Sequence, residues 1–283
     1  MSVATAEHWS CDNRTYHSDT TSLSRSQHED FRHSPALYES RHLLGVDPPE
    51  ESAALAFGTL SHAFLLEPET IVEIPRSALS ANGSRAGQAW KDFLAENTGK
   101  VLLKPDEFYP LRRIADSIDK HRWASNLMKS HSGDLREHTI RWQDDEHGIA
   151  RRVRLDNVKP TQRIIADLKT TRSIRPKDFS RDAWSLGYHR QASYYMDGAN
   201  ALWPEFQWAF VFIAIEKSPP YGVEVFEFDG QFMQHGRDQN HRSLAAFAEC
   251  KRSNVWRSQS HGEVITISPP SWAASDELWE VLE

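Results

Sequence analysis

Asp156 and the triplet Asp167-Leu168-Lys169 are the residues whose types and spacing could do chemistry. If residues 163–170 form a strand, Asp167 and Lys169 are two apart and share one face, while Leu168 turns into the core. Asp156 ends the preceding strand, 149–156, so its carboxylate and that of Asp167 can meet at one sheet edge. Two carboxylates in one cleft repel each other unless a cation sits between them. A hard divalent ion with oxygen ligands resolves the repulsion, and Mg²⁺ accepts substrate phosphate alongside one or two carboxylates. A lysine beside such an ion can orient or deprotonate a water and can stabilise charge on a phosphate. The chemistry is metal-assisted phosphodiester hydrolysis. On its own, Asp-x-Lys equally describes an ordinary surface salt bridge.

Three further features bear on that choice. Gly58 stands four residues before His62 on an apolar segment, where a glycine would leave room above the imidazole; the bland reading is a satisfied core histidine. Glu137 opens a strand and could supply another carboxylate, although Asp134, Asp144, Asp145 and Glu146 lie nearby. Gln191 and Tyr195 are four apart on a helical segment and therefore share a face, as many ordinary helix pairs do.

The elements that must position these residues can be read from periodicity and caps. Residues 1–20 are polar without clear period and read as a flexible N-terminal arm. Ser24 with Gln27 is a capping box. Ser34-Pro35 restarts a helix that Gly45 can stop. Residues 51–67 read as an apolar helix ended by Pro68, and 84–97 and about 105–130 as further helices. The pattern then changes. Residues 137–143 and 149–156 alternate around the turn 144–148 and read as a hairpin. Residues 163–170, 207–216 and 221–228 read as strands, 181–200 and 229–256 as helices. The expectation is an α/β fold with a mixed central sheet of about five strands flanked by helices. It is divided as a single domain over 21–283: a mainly helical part at 21–130, a sheet core at 131–270 and a tail at 271–283.

Composition narrows the class. With 39% hydrophobic and 26% charged residues the chain has a globular balance. Cys11 and Cys250 are too few for a disulfide scaffold, a four-cysteine zinc site or a four-cysteine iron–sulfur cluster. No apolar run is long enough to span a bilayer, and the first residues carry no apolar secretion signal, so a cytoplasmic protein is expected. Fourteen histidines show no tight metal-ligand spacing, and no serine-hydrolase or P-loop motif occurs. The ten tryptophans are read mainly as packing. Net charge is −7, which argues against nucleic acid, yet residues 151–181 hold ten basic side chains against three acidic ones. That asymmetry suits a local anion-binding surface or a solvated basic face. Arg152, Arg154, Arg172 and Arg175 are candidates for backbone phosphate contacts. Alternation puts Arg152 and Arg154 on the strand face of Asp156, which favours that pair.

In chain order, GTLSHAFLLEPE (58–69), EHTIRWQDDEHGIARRVRLDNVKP (137–160), IIADLKTT (164–171) and YHRQASYYMDG (188–198) resemble the exodeoxyribonuclease VIII (RecE-type) branch of the PD-(D/E)XK nuclease superfamily. Residues 24–44 and 210–229 are similar to that branch as well, so the likeness runs from about residue 16 to about 270. It implies a restriction-endonuclease-like core. It also implies roles by position. His62, Asp156, Asp167 and the Leu168 carbonyl would hold Mg²⁺, with Mn²⁺ able to substitute. Glu137 would complete the acidic set, Lys169 would position or activate water, and Gln191 and Tyr195 would support the site and nearby nucleic acid. The implied activity is exonucleolytic degradation of duplex DNA ends in recombination or repair, of phage or prophage type. Implied partners are linear DNA, further copies in a ring-shaped homo-oligomer, and a single-strand annealing protein, with no membrane. The competing readings are an endonuclease or single-strand nuclease on the same fold, and a DNA-binding or scaffold module without turnover. The acidic overall charge departs from the expected pattern.

Overall fold

The computed structural model describes residues 6–48, 53–257 and 264–268. The expected tail at 271–283 lies outside the described residues. In chain order the elements are β1 (Ala6–His8), α1 (Asn13–Ser18), β2 (Leu23–Ser24), α2 (Arg25–His33), α3 (Pro35–Tyr38), α4 (Ala53–Leu66), β3 (Ile71–Glu73) and α5 (Gln88–Glu96). There follow β4 (Val101–Leu103), α6 (Pro105–Lys120), α7 (Arg122–Met128), β5 (Leu135–Asp144), β6 (Ile149–Lys159) and β7 (Ile164–Thr171). The last are α8 (Pro176–Ser185), α9 (Tyr188–Leu202), β8 (Ala209–Glu216), β9 (Val223–Glu227) and α10 (Gly230–Ser253).

The central sheet runs β1-β5-β6-β7-β8-β9, with β2 added alongside β6. Pairing is antiparallel except between β7 and β8 and between β2 and β6. The mixed sheet flanked by helices matches the expectation, and the five expected strands are its core. The parallel β7–β8 pair requires a long crossover, which α8 and α9 supply. The single helix expected at 181–200 is broken, because Gly187 adopts φ +70° between α8 and α9. The capping box of Ser24 and Gln27 forms with both hydrogen bonds, and Gly45 caps the 35–44 helical segment in the left-handed conformation.

Residues 6–18 are not a loose arm. Ala6–His8 pair with Ile140–Trp142 as an edge strand, and Tyr16 on α1 is buried. The segment is polar because it lies across arginines: the Arg152 and Arg154 guanidinium groups sit 5.0 and 4.6 Å from the Tyr16 ring. Too short for a periodic signal, it is held by ladder and cation–π contacts.

Both sheet faces are covered. One core joins Ile140, Val153, Ile165 and Phe212 to Tyr194 and Ala199 of α9 and Leu244 and Phe247 of α10. The other joins Ala166, Leu168 and Ile213 to Leu66 of α4 and Ile114, Ile118 and Leu127 of α6 and α7. Leu168 thus turns into the core, as its place between Asp167 and Lys169 requires. Close approach of α9 to the sheet depends on Gly198, where a Cβ would meet Val153 at 2.8 Å and Trp142 at 2.9 Å.

Candidate active site

Register brings three carboxylates into one row. Arg136 pairs with Asn157 and His138 with Leu155, so Glu137 on β5 stands opposite Asp156 on β6. Asn157 pairs with Ala166 as the last rung between β6 and β7, and Asp156 and Asp167 occupy the next positions, where the ladder ends. At this fork the Leu168 amide donates to Asp156 Oδ2 at 2.8 Å instead of to a ladder carbonyl. The carboxylate therefore satisfies a buried donor that the parted strands leave open.

Helix α4 brings His62 over the fork. Its Nε2 lies 2.9 Å from Asp156 Oδ2 and 3.4 Å from the Leu168 carbonyl, and its Nδ1 lies 3.8 Å from Glu137 Oε1. Gly58 serves a different purpose from the one its spacing suggests. A Cβ there would meet Thr170 Oγ1 at 3.3 Å, so the glycine lets α4 lie close on β7. Lys169 forms an ion pair with Asp167 Oδ2, and its ammonium sits 5.3 Å from the Tyr188 ring centroid. On α9, Gln191 Nε2 donates to Asp167 Oδ1 at 2.6 Å. One turn on, Tyr195 lines the same cleft.

Electrostatics follow from this crowding. Burial opposes charge on His62, but the Asp156 carboxylate outweighs it and lifts the imidazole to about 9. Asp156 is buried, yet His62 and Lys169 hold its carboxyl below the usual range. Asp167 is pushed up to about 6 by burial, with Asp156 adding and Lys169 opposing. Burial and then Asp156 push Glu137 to about 7. Burial, with Tyr16 and the two aspartates, raises the Tyr195 hydroxyl well above its ordinary value, so it stays a donor. Glu137 also adopts φ +47°, a strained conformation for a non-glycine residue in a strand.

The donor set fits a divalent cation. Ligand atoms of His62, Glu137 and Asp156 lie within 4.8 Å of one another, and the Leu168 carbonyl oxygen is beside His62. Three carboxyl groups crowded at one buried fork are a set that a bound cation would relieve.

The four arginines divide. Arg152 shares the face of Asp156, as alternation requires, but β2 pairs beside it and the chain leading into β2 closes over its side chain. Its guanidinium is 1% exposed and binds the Ser22 carbonyl and Asp19, so it is not available to a phosphate. Arg154 lines the cleft, yet its donors go to Thr139 Oγ1, the Cys11 carbonyl and Asn13 Oδ1. Arg172 and Arg175 are exposed and pair with Asp182 and Asp178. The cleft holds about 650 Å³ and is walled by residues that motif reading did not single out, among them Asn13, His17, Arg25, Tyr188 and Lys217. Tyr188 begins the helix that carries Gln191; Asn13 and His17 lie in the segment read as an arm and gave no usable signal.

A mixed sheet forked at a carboxylate pair, with a histidine-bearing helix above it, accords with a fold of the PD-(D/E)XK class. Residues 24–265 match the PDDEXK-like domain of unknown function DUF3799, and the chain belongs to that family. No curated protein matches. Among solved structures it is similar to the crystal structure of a "Putative exonuclease" from Eubacterium rectale, with a TM-score of 0.63 and 15% identity over 94% of this chain and 98% of that one. At that identity the likeness is one of fold. Among the described residues, no helix is long and apolar enough to cross a membrane.

Proposed function

We propose that this chain is a metal-dependent DNA nuclease of the exodeoxyribonuclease VIII branch, acting as an exonuclease on duplex ends in recombination or repair. The observation that carries the reading is the convergence of Asp156, Asp167, His62, the Leu168 carbonyl and Lys169 at one strand fork on a cleft floor. Asp156, Asp167, His62 and the Leu168 carbonyl would hold Mg²⁺ or Mn²⁺, with Glu137 beside them. When bound, such an ion supplies Lewis-acid charge at the scissile phosphate and acidifies a water.

The protein's own groups do the rest. Asp167 anchors the Lys169 ammonium, whose remaining protons can orient an attacking water and neutralise charge growing on the phosphate. Gln191 fixes the Asp167 carboxylate from behind, so neither partner needs to reorganise during the reaction. Tyr195, held as a phenol, can donate to a phosphate oxygen in the cleft. Arg25 and Lys217 on the walls, with Arg172 and Arg175 outside, add sequence-independent attraction for the backbone. Degradation from an end needs no base readout, which accords with a cleft offering charge and aromatic surface.

The test is incubation of the purified chain with Mg²⁺ and either linear duplex or covalently closed circular DNA, beside Lys169→Ala. Degradation of linear DNA alone, abolished in the variant, is the expected result. Cutting of both substrates would convert the reading to an endonuclease. DNA binding without cutting in Mg²⁺ or Mn²⁺ would favour a non-catalytic module. The ring-shaped assembly belongs to the same reading, and light scattering on the eluted protein tests it.

A further inference from the structure

At the far end of the β5–β6 hairpin, ligand-type side chains converge a second time. A ring nitrogen of His147, a ring nitrogen of His241 and a carboxylate oxygen of Glu146 lie within 4.8 Å of one another. His147 and Glu146 belong to the hairpin turn, and His241 comes from α10. His241 Nε2 and Glu146 Oε1 are 2.7 Å apart across 95 residues of chain, a convergence that sequence spacing could not reveal. This cluster stands roughly 23 Å from the cleft row, taking about 3.3 Å per residue along the strand.

The cluster has a support behind it. The His147 side chain is 7% exposed, and its Nδ1 lies 3.1 and 3.2 Å from the two Asp144 oxygens. Asp144 is held in turn by Arg151 at 3.0 Å, and Arg151 reaches Asp197 at 2.9 Å. The Arg151 guanidinium is clamped between the Trp142 and Tyr194 rings, 4.7 and 4.0 Å from their centroids. Asp144 thus occupies Nδ1 of His147 and leaves Nε2 as the nitrogen available to an ion. Among the described residues Nε2 takes part in no hydrogen bond. A carboxylate on the second nitrogen of an imidazole is the arrangement that orients metal-binding histidines.

We propose that Glu146, His147 and His241 form a second cation site that takes Zn²⁺. Two imidazoles and a carboxylate favour a borderline-soft ion over Mg²⁺, which separates this site from the oxygen-rich cleft. A water or buffer ligand completes the tetrahedron. Ligand atoms around zinc stand about 3.4 Å apart for bonds of about 2.1 Å. The His241–Glu146 pair at 2.7 Å would open to that spacing and the longer separations would close to it, movements that His241 at 57% and Glu146 at 66% exposed are free to make. The ion would pin the hairpin turn to α10 and brace the end of the two strands that carry Glu137 and Asp156.

The experiment uses the full chain and zinc alone. Equilibrium dialysis with elemental analysis counts zinc equivalents for the unaltered protein, His241→Ala, Glu146→Gln and Asp156→Asn, and thermal unfolding is followed with and without zinc. His241→Ala is expected to bind one equivalent fewer and to lose the corresponding rise in unfolding temperature. Glu146→Gln is expected to weaken the same equivalent by about tenfold. Asp156→Asn is expected to retain it. Undiminished zinc in His241→Ala, or loss in Asp156→Asn alone, overturns the proposal. Both hairpin-site substitutions fall on exposed side chains, so an unfolded variant does not confuse the result.

Discussion

On the proposed function, metal uptake in the cleft competes with protons, and the structure sets the scale of that competition. His62 titrates at about 9, Glu137 at about 7 and Asp167 at about 6. Near pH 6.5 an incoming ion therefore displaces about one proton from His62, most of one from Glu137 and a minor fraction from Asp167. Near pH 8 only the His62 proton remains to be displaced. Integrating between these limits gives an affinity rise of about 100-fold, about 3 kcal/mol, of which His62 supplies roughly 30-fold. Calorimetric titration of Mn²⁺ at the two pH values, in buffers of different ionisation enthalpy, measures both the affinity and the protons released. Glu137→Gln should keep the His62 part and lose about fourfold of the dependence. A rise below about fivefold in the unaltered protein, or release of fewer than about half a proton near pH 8, would falsify the assignment of His62 as a protonated ligand.

Four other outcomes follow from the contacts. Gln191→Ala removes the hydrogen bond to Asp167 and should lower kcat by about tenfold or more, as loss of a charged hydrogen bond of ~1.5–3 kcal/mol requires, with circular dichroism unchanged. Arg152→Ala strips a buried guanidinium from Asp19 and the Ser22 carbonyl and should cost ~3 kcal/mol in urea unfolding. The exposed Arg172→Ala and Arg175→Ala should leave the unfolding midpoint nearly unchanged; if they contact phosphates, each flattens the salt dependence of DNA binding by a slope of ~0.9. Without metal, the His62–Asp156 pair stabilises the fold fully below the unfolded histidine value and loses that contribution as pH rises through about 9. The unfolding temperature should thus drop from neutral to alkaline pH, and less so in His62→Asn.

Much of the site was legible because its residues sit on regular elements. Alternation placed Asp167 and Lys169 on one face with Leu168 in the core, and the helical repeat placed Gln191 with Tyr195. Glu137 was legible only as one acid among several, since its place depends on cross-strand register, which a single sequence does not specify. Arg152 shows the limit of alternation, which gives a side chain's direction but not what another segment lays over it. Tyr16, Asp19 and Ser22, all distant in sequence, close around it. The Ala6–His8 strand and the Asn13–Ser18 helix were missed because three and six residues are too few to show a period. The hairpin-end histidines were missed because their partner lies in a distant helix.

The short N-terminal segment lies ahead of the family match, which begins at residue 24. Yet its Asn13, Tyr16 and His17 form part of the cleft wall, and Tyr16 lies under Arg152 and Arg154, which precede Asp156 on its strand face. The groups at the fork and this part of the cleft wall thus lie in separate stretches of chain. The groups at the fork run from His62 to Tyr195, while part of the entrance they serve is written in fewer than twenty residues upstream. Substitutions there would change the shape and charge of the cleft wall while leaving every carboxylate, the histidine and the lysine in place.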